Sequence, residues 1–480
     1  MILVAGGRAS NALLTLVTLY ALTRLLPPGE YAVLALVTAF QAFAGLIVVN
    51  PAGLWFQRHL HEWHDAGSLP SRRRGLDEIQ RFAALVTASL VVLWGGFVHS
   101  MTWETTVFFG ALVAAIIYFQ TDATVSSNVF NALGSRSSAV LWQLALSALG
   151  LILSAGLTLQ WRNAVAWLAG QALAAVLVSL VSRATLRRVV GQPTPSTPHG
   201  EHSFLRERGY WRFALPLAAL TSLMWLYGNG YRFILERAWD ATALGIFLLA
   251  LSVPAQMTAV LESIVMQYAY PFYFRRIAGQ VDESTKAEAT AAMTNALLPL
   301  YWAWGAFLCV ATPQVIFLIT APSYHGAAQW AIYGALLEVA RLTGNAWNLT
   351  AQARKDFRPL VLPHAVGAVG SLITALVVWH TGASAQVFAA GLLLAALVQS
   401  ALMVIRSRNM LPLWFSRRRA GIAGLVLFLG LMLGFLWRAD HGPLVSILII
   451  AVAGVLFSLV AYVHLRTARF FHSLAEQRLA

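Results

Sequence analysis

The chain is a succession of uncharged apolar runs, most of them about 20 residues long, separated by short polar turns. A helix needs roughly 20 apolar residues to cross the hydrocarbon core of a bilayer. The sequence is 59% hydrophobic and only 11% charged, whereas soluble domains carry about 25% charged residues. The sequence therefore predicts an all-α polytopic integral membrane protein rather than a soluble domain.

The apolar runs predict about 14 transmembrane helices. They lie near residues 9–26, 31–55, 82–100, 105–127, 139–159, 164–182, 213–235, 242–266, 291–320, 327–350, 360–379, 384–405, 420–437 and 444–465. A Pro/Ser/Thr-rich segment divides the first six helices from the next six. The predicted organisation is an N-terminal lobe (1–190), a cytoplasmic linker (191–212), a C-terminal lobe (213–405) and two extra helices with a cytoplasmic tail (406–480).

Positive charges are concentrated in every second loop, as in membrane proteins whose cytoplasmic loops collect Lys and Arg. With the N-terminus inside, cations such as Arg73 and Arg183 follow even-numbered spans on the cytoplasmic side. The outside loops then receive only Arg162, Arg237 and Arg438. Both termini are therefore predicted to be cytoplasmic. The net charge of +14 is explained by this asymmetry, and no nucleic-acid partner is expected.

Several kinds of chemistry find no support in the sequence. Cys309 is the single cysteine, so disulfides and cysteine-based metal sites are not expected. The spacing of His59, His61 and His64 does not put all three on one helix face, so no metal is predicted. A Gly-rich phosphate loop is absent from the sequence, and no cofactor is predicted. The short outside loops leave no room for the catalytic loop of a polymerase, and the chain is predicted not to be an enzyme.

Two pairs of segments indicate an internal repeat of six helices. Segments 23–37 (TRLLPPGEYAVLALV) and 231–253 each hold an arginine, aliphatic residues, an acidic turn and an apolar run. Segments 128–137 (NVFNALGSRS) and 345–357 (NAWNLTAQARKDF) each close a span with paired asparagines and a basic turn. Internal repeats with a substrate site between the halves are typical of transporters.

A few charges remain within the apolar runs. Glu338 and Arg341 share one helix face, and an ionised residue at this depth costs a few kcal/mol unless it faces the protein interior or water. They are either part of a charged cavity or a local ion pair that neutralises both. Arg24 and Arg232 lie near span ends, where they either line a cavity or extend to the membrane interface.

Two further acids, Asp122 and Glu262, lie within apolar runs. Burial favours the neutral form of a carboxyl group, which suits the uptake and release of a proton, whereas an arginine partner opposes it. The alternative is a structural role against a polar neighbouring helix. Asp122, Glu262 and Glu338 are therefore the candidates for coupling to an ion.

The segment ALTRLLPPGEYAVLALVTAF (21–40) resembles the first hairpin of the polysaccharide flippases (Wzx-like proteins) of the MOP superfamily. That hairpin has an arginine, leucines, a Pro/Gly turn, an acidic residue, an aromatic residue and a small residue. Here these positions are Arg24, Leu25, Leu26, Pro28, Gly29, Glu30, Tyr31 and Ala32. Segment 231–250 resembles the junction of spans seven and eight of the same family, and segment 130–137 the turn after span four. Tyr231 departs from the aspartate that the family often has there.

The resemblance implies a flippase that moves an undecaprenyl-pyrophosphate-linked oligosaccharide from the cytoplasmic to the periplasmic leaflet of the bacterial inner membrane. Such a flippase serves lipopolysaccharide O-antigen, capsule or exopolysaccharide biosynthesis, works by alternating access, and has polymerase or export proteins as potential partners. Arg24, Arg232 and Arg341 are the candidate substrate ligands, because guanidinium groups suit phosphate. Protons or sodium ions are the candidate coupling ions. The alternatives are a MATE-like multidrug or organic-cation antiporter and, less well supported, a membrane polysaccharide polymerase.

Overall fold

Helices make up nearly all of the chain that the structure describes. This computed structural model describes residues 2–98, 102–190, 203–278 and 281–467, and within these ranges there are 18 α-helices and no strands. The helices are α1 Ile2–Leu25, α2 Pro28–Phe43, α3 Asn50–Asp65, α4 Leu69–Val98, α5 Trp103–Ala132, α6 Arg136–Trp161, α7 Ala164–Val190, α8 Arg208–Trp225, α9 Tyr231–Ala238, α10 Ala241–Tyr268, α11 Tyr270–Arg276, α12 Glu283–Ile319, α13 Ala328–Trp347, α14 Leu349–Arg354, α15 Val361–Thr381, α16 Ala385–Met410, α17 Arg417–Leu436 and α18 Pro443–Thr467. The predicted all-α fold class is confirmed.

Local sequence explains where many of these helices begin and end. Asp240 and Asp282 precede α10 and α12, and their carboxylates accept hydrogen bonds from the first-turn amides of Ala243 and Thr285. This is N-capping, which satisfies backbone donors that have no partner within the helix. Two short π-helical segments, Ala44–Val49 and Leu226–Gly230, join α2 to α3 and α8 to α9.

Eleven helices in the described chain are long and apolar enough to cross a membrane. The other predicted spans are 9–26, 213–235 and 327–350. Span 9–26 falls on α1, of which the apolar stretch Leu13–Leu25 lies in the described residues. Spans 213–235 and 327–350 fall on α8 with α9 and on α13, which do not reach that length or hydropathy. These are also the helices that carry the predicted arginines. The predicted arginines therefore lie outside these eleven helices, whereas the acids Asp122 and Glu262 lie on two of them, α5 and α10.

The outer helices expose apolar side chains along their length. On α6, Leu141, Ile152 and Leu159 are exposed, and on α18, Leu444 and Val455 are exposed. In a soluble protein such continuous apolar surfaces are rare. Lipid is the solvent that these faces require, and the chain is a multi-pass membrane protein.

The chain divides into two compact units, residues 1–232 and 233–480, with the division inside α9. In the first unit α4 packs on α5, α5 on α7, and α6 on α7. In the second unit α12 packs on α13, α13 on α16, and α15 on α16. The third to sixth spans of each half therefore pair in the same order, as an internal repeat predicts.

The contacts of α8 differ from what the predicted lobes would suggest. Helix α8 packs against α3 and the first π-helical segment, and so belongs to the first unit. The predicted division at the linker 191–212 stays a prediction about functional lobes. Residues 191–202 of that linker lie outside the described residues.

Helix α17, the first of the two extra C-terminal helices, contacts α12 through two glycines four residues apart. A Cβ atom on Gly430 would lie 2.5 Å from the Cα of Ala306, and one on Gly434 would lie 2.5 Å from the carbonyl oxygen of Cys309. Small residues at this spacing let the backbones of membrane helices approach closely. The contact therefore depends on the absence of side chains.

Replacing Gly430 with valine should force α17 away from α12 and lower the free energy of unfolding by about 1–3 kcal/mol. Thermal unfolding of the detergent-solubilised protein measures this. Gly421→Val is the matched control on the same helix, because nothing lies within 4 Å of a Cβ atom at that position. Equal unfolding temperatures for the two variants would contradict the close contact.

Candidate functional site

Arg341 on α13 is held between two carboxylates in the second unit. Its Nε and Nη2 donate to Oε2 of Glu338 at 3.0 and 2.7 Å. Its Nη1 and Nη2 also donate to Oε1 and Oε2 of Glu262 on α10, at 3.1 and 2.7 Å. The contact between Glu338 and Arg341 expected from their spacing is thus present, and a third candidate, Glu262, joins it from another helix.

Asn345 completes this group, which we call the α13 cluster: Glu262, Glu338, Arg341 and Asn345. The Nδ2 of Asn345 donates to Oε1 of Glu262 at 2.9 Å. Residues three, four and seven positions apart lie on the same side of a helix, which is why α13 presents Glu338, Arg341 and Asn345 together. Glu338 lies near the middle of this 20-residue helix.

The α13 cluster carries one net negative charge, because two carboxylates face one guanidinium. A guanidinium has five N–H donors, and four of those on Arg341 are already engaged. Its side chain is nevertheless 37% exposed. A ligand can therefore reach Arg341, but an anionic ligand has to compete with Glu262 and Glu338 for its donors.

Asp122 on α5 is the centre of a second ionic network, in the first unit. The residue is only 2% exposed. Its Oδ1 accepts a hydrogen bond from Arg73 Nη2 at 3.1 Å. Its Oδ2 accepts from Ser179 Oγ and Arg183 Nε, both at 2.6 Å. Charge-assisted hydrogen bonds of this kind are shorter and stronger than those between neutral groups.

The Asp122 network continues to α4. Arg183 Nη2 donates to Asp77 Oδ1 at 2.8 Å and to the hydroxyl of Tyr118 at 2.9 Å. Tyr118 in turn donates to Asp77 Oδ1 at 2.8 Å. These contacts connect α4, α5 and α7. The ion-coupling role of Asp122 stays a prediction, and the contacts favour a structural role instead.

The sequence did not reveal the partners of Asp122. Arg73 and Arg183 are expected in cytoplasmic loops, but α4 already begins at Leu69 and α7 continues to Val190. Both arginines therefore lie on helices that extend beyond their apolar runs. The available signal was the four-residue spacing of Tyr118 and Asp122, and of Ser179 and Arg183, which puts each pair on one helix face.

Arg24 and Arg232 have separate surroundings within the first unit. Arg24 is exposed at the end of α1, and its guanidinium lies 5.3 Å from the centroid of the Tyr20 ring. Arg232 is half-buried, and its Nη1 donates to the carbonyl of Ala35 on α2 at 3.1 Å. Arg232 thus connects α9 to α2, whereas Arg24 is open to ligands. Their predicted substrate-binding roles stay predictions.

Replacing Asp122 with asparagine should lower the free energy of unfolding by about 3 kcal/mol, because Arg73 loses its countercharge and Arg183 keeps only Asp77. Thermal unfolding of the purified protein measures the loss. The matched control is Asp65→Asn, since Asp65 is exposed at the end of α3.

The double variant Asp122→Asn/Arg183→Gln should lose less than the sum of the two single losses, because residues of one ionic network are coupled. If Asp122→Asn unfolds at the same temperature as Asp65→Asn, the network does not stabilise the first unit.

The chain resembles known proteins in sequence over part of its length and in fold over most of it. A family model described as "Polysaccharide biosynthesis protein" matches residues 143–329. No curated protein sequence matches the chain. The solved structure of the lipid II flippase MurJ, in an inward closed conformation, is similar with a TM-score of 0.61 at 11% identity, over 96% of this chain and 99% of MurJ.

Two MATE transporters are also similar. A eukaryotic MATE transporter matches with a TM-score of 0.57 at 13% identity, over 89% of this chain and 98% of its own. An inward-facing multidrug resistance MATE family transporter of the MOP superfamily matches with a TM-score of 0.54 at 14% identity, over 83% of this chain and 95% of its own. The resemblance to the MOP superfamily is thus confirmed at the level of the fold: the chain has the helical architecture of MATE transporters and of the lipid II flippase MurJ.

Proposed function

We propose that the chain is a MOP-type transporter that moves an undecaprenyl-pyrophosphate-linked oligosaccharide across the bacterial inner membrane. The observation that carries this proposal is the α13 cluster, which puts ionised groups near the middle of a helix in a membrane protein. Such groups are costly in lipid and mark transport pathways in membrane proteins. The match to a polysaccharide biosynthesis family supports the choice of cargo.

The cargo has a hydrated pyrophosphate-sugar head that hydrocarbon excludes, and a lipid tail that can stay in the bilayer. The protein would accept the head from the cytoplasmic leaflet and release it to the periplasmic leaflet by alternating access, without enzymatic chemistry. Cytoplasmic termini follow from the arginine-rich loops. O-antigen, capsule and exopolysaccharide units all have this chemistry, and polymerase or export proteins would act on the released product.

We assign the contact with the phosphate to Arg341. Its two carboxylate partners, Glu262 and Glu338, would couple cargo movement to an ion. Four of its five donors now bind Glu262 and Glu338. A proton or sodium ion on either carboxylate would weaken its hold on the guanidinium and free donors for a phosphate oxygen. Ion binding and cargo binding would then favour each other. Arg24, which is exposed at the end of α1, is a second candidate contact for the anionic head.

A second function has one observation in its favour. The α13 cluster carries a net negative charge, which suits an organic cation, as in a multidrug antiporter. In that case the cation would displace Arg341 and bind Glu262 and Glu338 directly. The two functions therefore assign opposite roles to the same residues, and substitution of the arginine separates them.

Replacing Arg341 with alanine should reduce the outward exposure of lipid-linked oligosaccharide at least tenfold per molecule of transporter in the membrane, because the phosphate loses its guanidinium partner. A membrane-impermeant sugar-modifying reagent applied to spheroplasts of a complemented deletion strain measures exposure. The control is Arg354→Ala, since Arg354 forms an exposed pair with Glu283.

Undiminished exposure of the oligosaccharide in the Arg341→Ala strain would remove Arg341 from the substrate site. If the same variant transports organic cations better than the natural protein, the antiporter function gains support, because both carboxylates are then free to bind a cation.

Replacing Glu262 with glutamine should make transport less dependent on an imposed proton or sodium gradient, because the amide keeps the size of the side chain but cannot be neutralised by an ion. Glu338→Gln should have the same effect. Transport into proteoliposomes at varied gradients measures it. Glu288→Gln, at an exposed position on α12, is the control, and an unchanged gradient dependence in both cluster variants would exclude these carboxylates from coupling.

A further inference from the structure

The first unit contains a cavity of about 230 Å³ between α5, α4 and the segment that includes the first π-helix and α3. We call it the α5 cavity. Five polar side chains without formal charge line it: Asn50, Gln57, Thr121, Thr124 and Asn128. Apolar side chains, among them buried Phe56 and Val125, form the rest of the wall.

The amides in this lining are free to bind a ligand. Among the described residues, the side chains of Asn50, Gln57 and Asn128 form no hydrogen bond with another residue. Thr124 donates its hydroxyl to the carbonyl of Gln120 at 2.9 Å, which leaves its oxygen available as an acceptor. An amide side chain offers both donors and acceptors. The α5 cavity therefore presents unused hydrogen-bonding groups of both kinds, without formal charge.

The internal repeat relates this cavity to the α13 cluster. The paired asparagines Asn128 and Asn131 close α5, and Asn345 and Asn348 occupy the same places at the end of α13. Both helices are the fourth span of their half, and each packs on the third and the sixth. The two asparagine pairs therefore fix the register in which α5 and α13 are compared.

In this register Thr121 and Thr124 correspond to Glu338 and Arg341. Thr121 and Thr124 lie seven and four residues before Asn128, and Glu338 and Arg341 lie seven and four residues before Asn345. All of these positions lie on one face of their helix. That face is charged in the second unit and carries only hydroxyl and amide groups in the first. The corresponding positions of the two halves are thus charged in the second unit and uncharged in the first.

We propose that the α5 cavity binds an uncharged sugar ring of the cargo. This inference rests on the proposed function and deepens it. The volume of the cavity is about eight times the roughly 30 Å³ that a water molecule occupies in the liquid, which suits one sugar ring rather than a long glycan. Amides and hydroxyls match sugar hydroxyls, and the apolar wall matches the C–H face of the ring. A phosphate would find no countercharge among the lining residues.

Two lipids test the proposal on the full-length protein in nanodiscs. One is a polyprenyl diphosphate that carries an uncharged N-acetylhexosamine disaccharide, and the other is the same polyprenyl diphosphate without sugar. The natural protein should bind the sugar-bearing lipid more tightly. The double variant Asn50→Leu/Asn128→Leu should lose about tenfold in affinity for this lipid and keep its affinity for the bare lipid.

Asn131→Leu is the matched control, since Asn131 is an exposed residue of the same helix outside the cavity lining. It should change neither affinity. Thr124→Val removes one hydroxyl and preserves the shape of the side chain. It should weaken the binding of the sugar-bearing lipid only, and it replaces the double variant in the test if the double variant does not fold. Two results for the cavity variants would overturn the sugar site and leave the flippase function intact. One is an unchanged affinity for the sugar-bearing lipid. The other is an equal loss of affinity for both lipids at an unchanged unfolding temperature. Binding of neither lipid by the natural protein would overturn both.

Discussion

An ionised side chain within a membrane-spanning bundle must have a partner or reach water, and this constraint organises the chemistry of the protein. Arg341 satisfies it with two carboxylates from two helices. Asp122 satisfies it with two arginines, also from two helices. In both places the removal of the central residue, Arg341 or Asp122, leaves charges of its partners uncompensated, which is far more costly than an apolar replacement of the whole group.

The two ionic groups differ in how open they are. Asp122 is almost completely buried and both of its oxygens are engaged, so it suits a permanent connection between helices. The α13 cluster has an excess of carboxylate and an accessible guanidinium. The excess carboxylate lets Arg341 change partners, whereas a buried carboxylate whose two oxygens are both engaged resists exchange. This contrast is why the cluster, and not the network, is the better candidate for transport.

Much of the fold could be predicted from the sequence, because every backbone polar group in lipid must be satisfied within a helix. The length of each apolar run therefore located the membrane spans. The three-residue spacing of Glu338 and Arg341 predicted the contact between their side chains. The sequence could not assign Glu262 to Arg341, since spacing relates residues only within one helix. It also placed Arg73 and Arg183 in loops, because an apolar run ends where charges begin while the helix continues.

The modest hydropathy of α13 has a consequence for how the protein is made. A segment with an arginine and a glutamate near its centre inserts poorly on its own, since each charge costs about 2.5–3.5 kcal/mol on insertion scales. Helix α10 precedes α13 in the chain, so Glu262 is synthesised before Arg341 emerges from the ribosome. The carboxylate is then available to receive the guanidinium as α13 enters the membrane. The order of synthesis itself thus favours the insertion of the helix that carries the cluster.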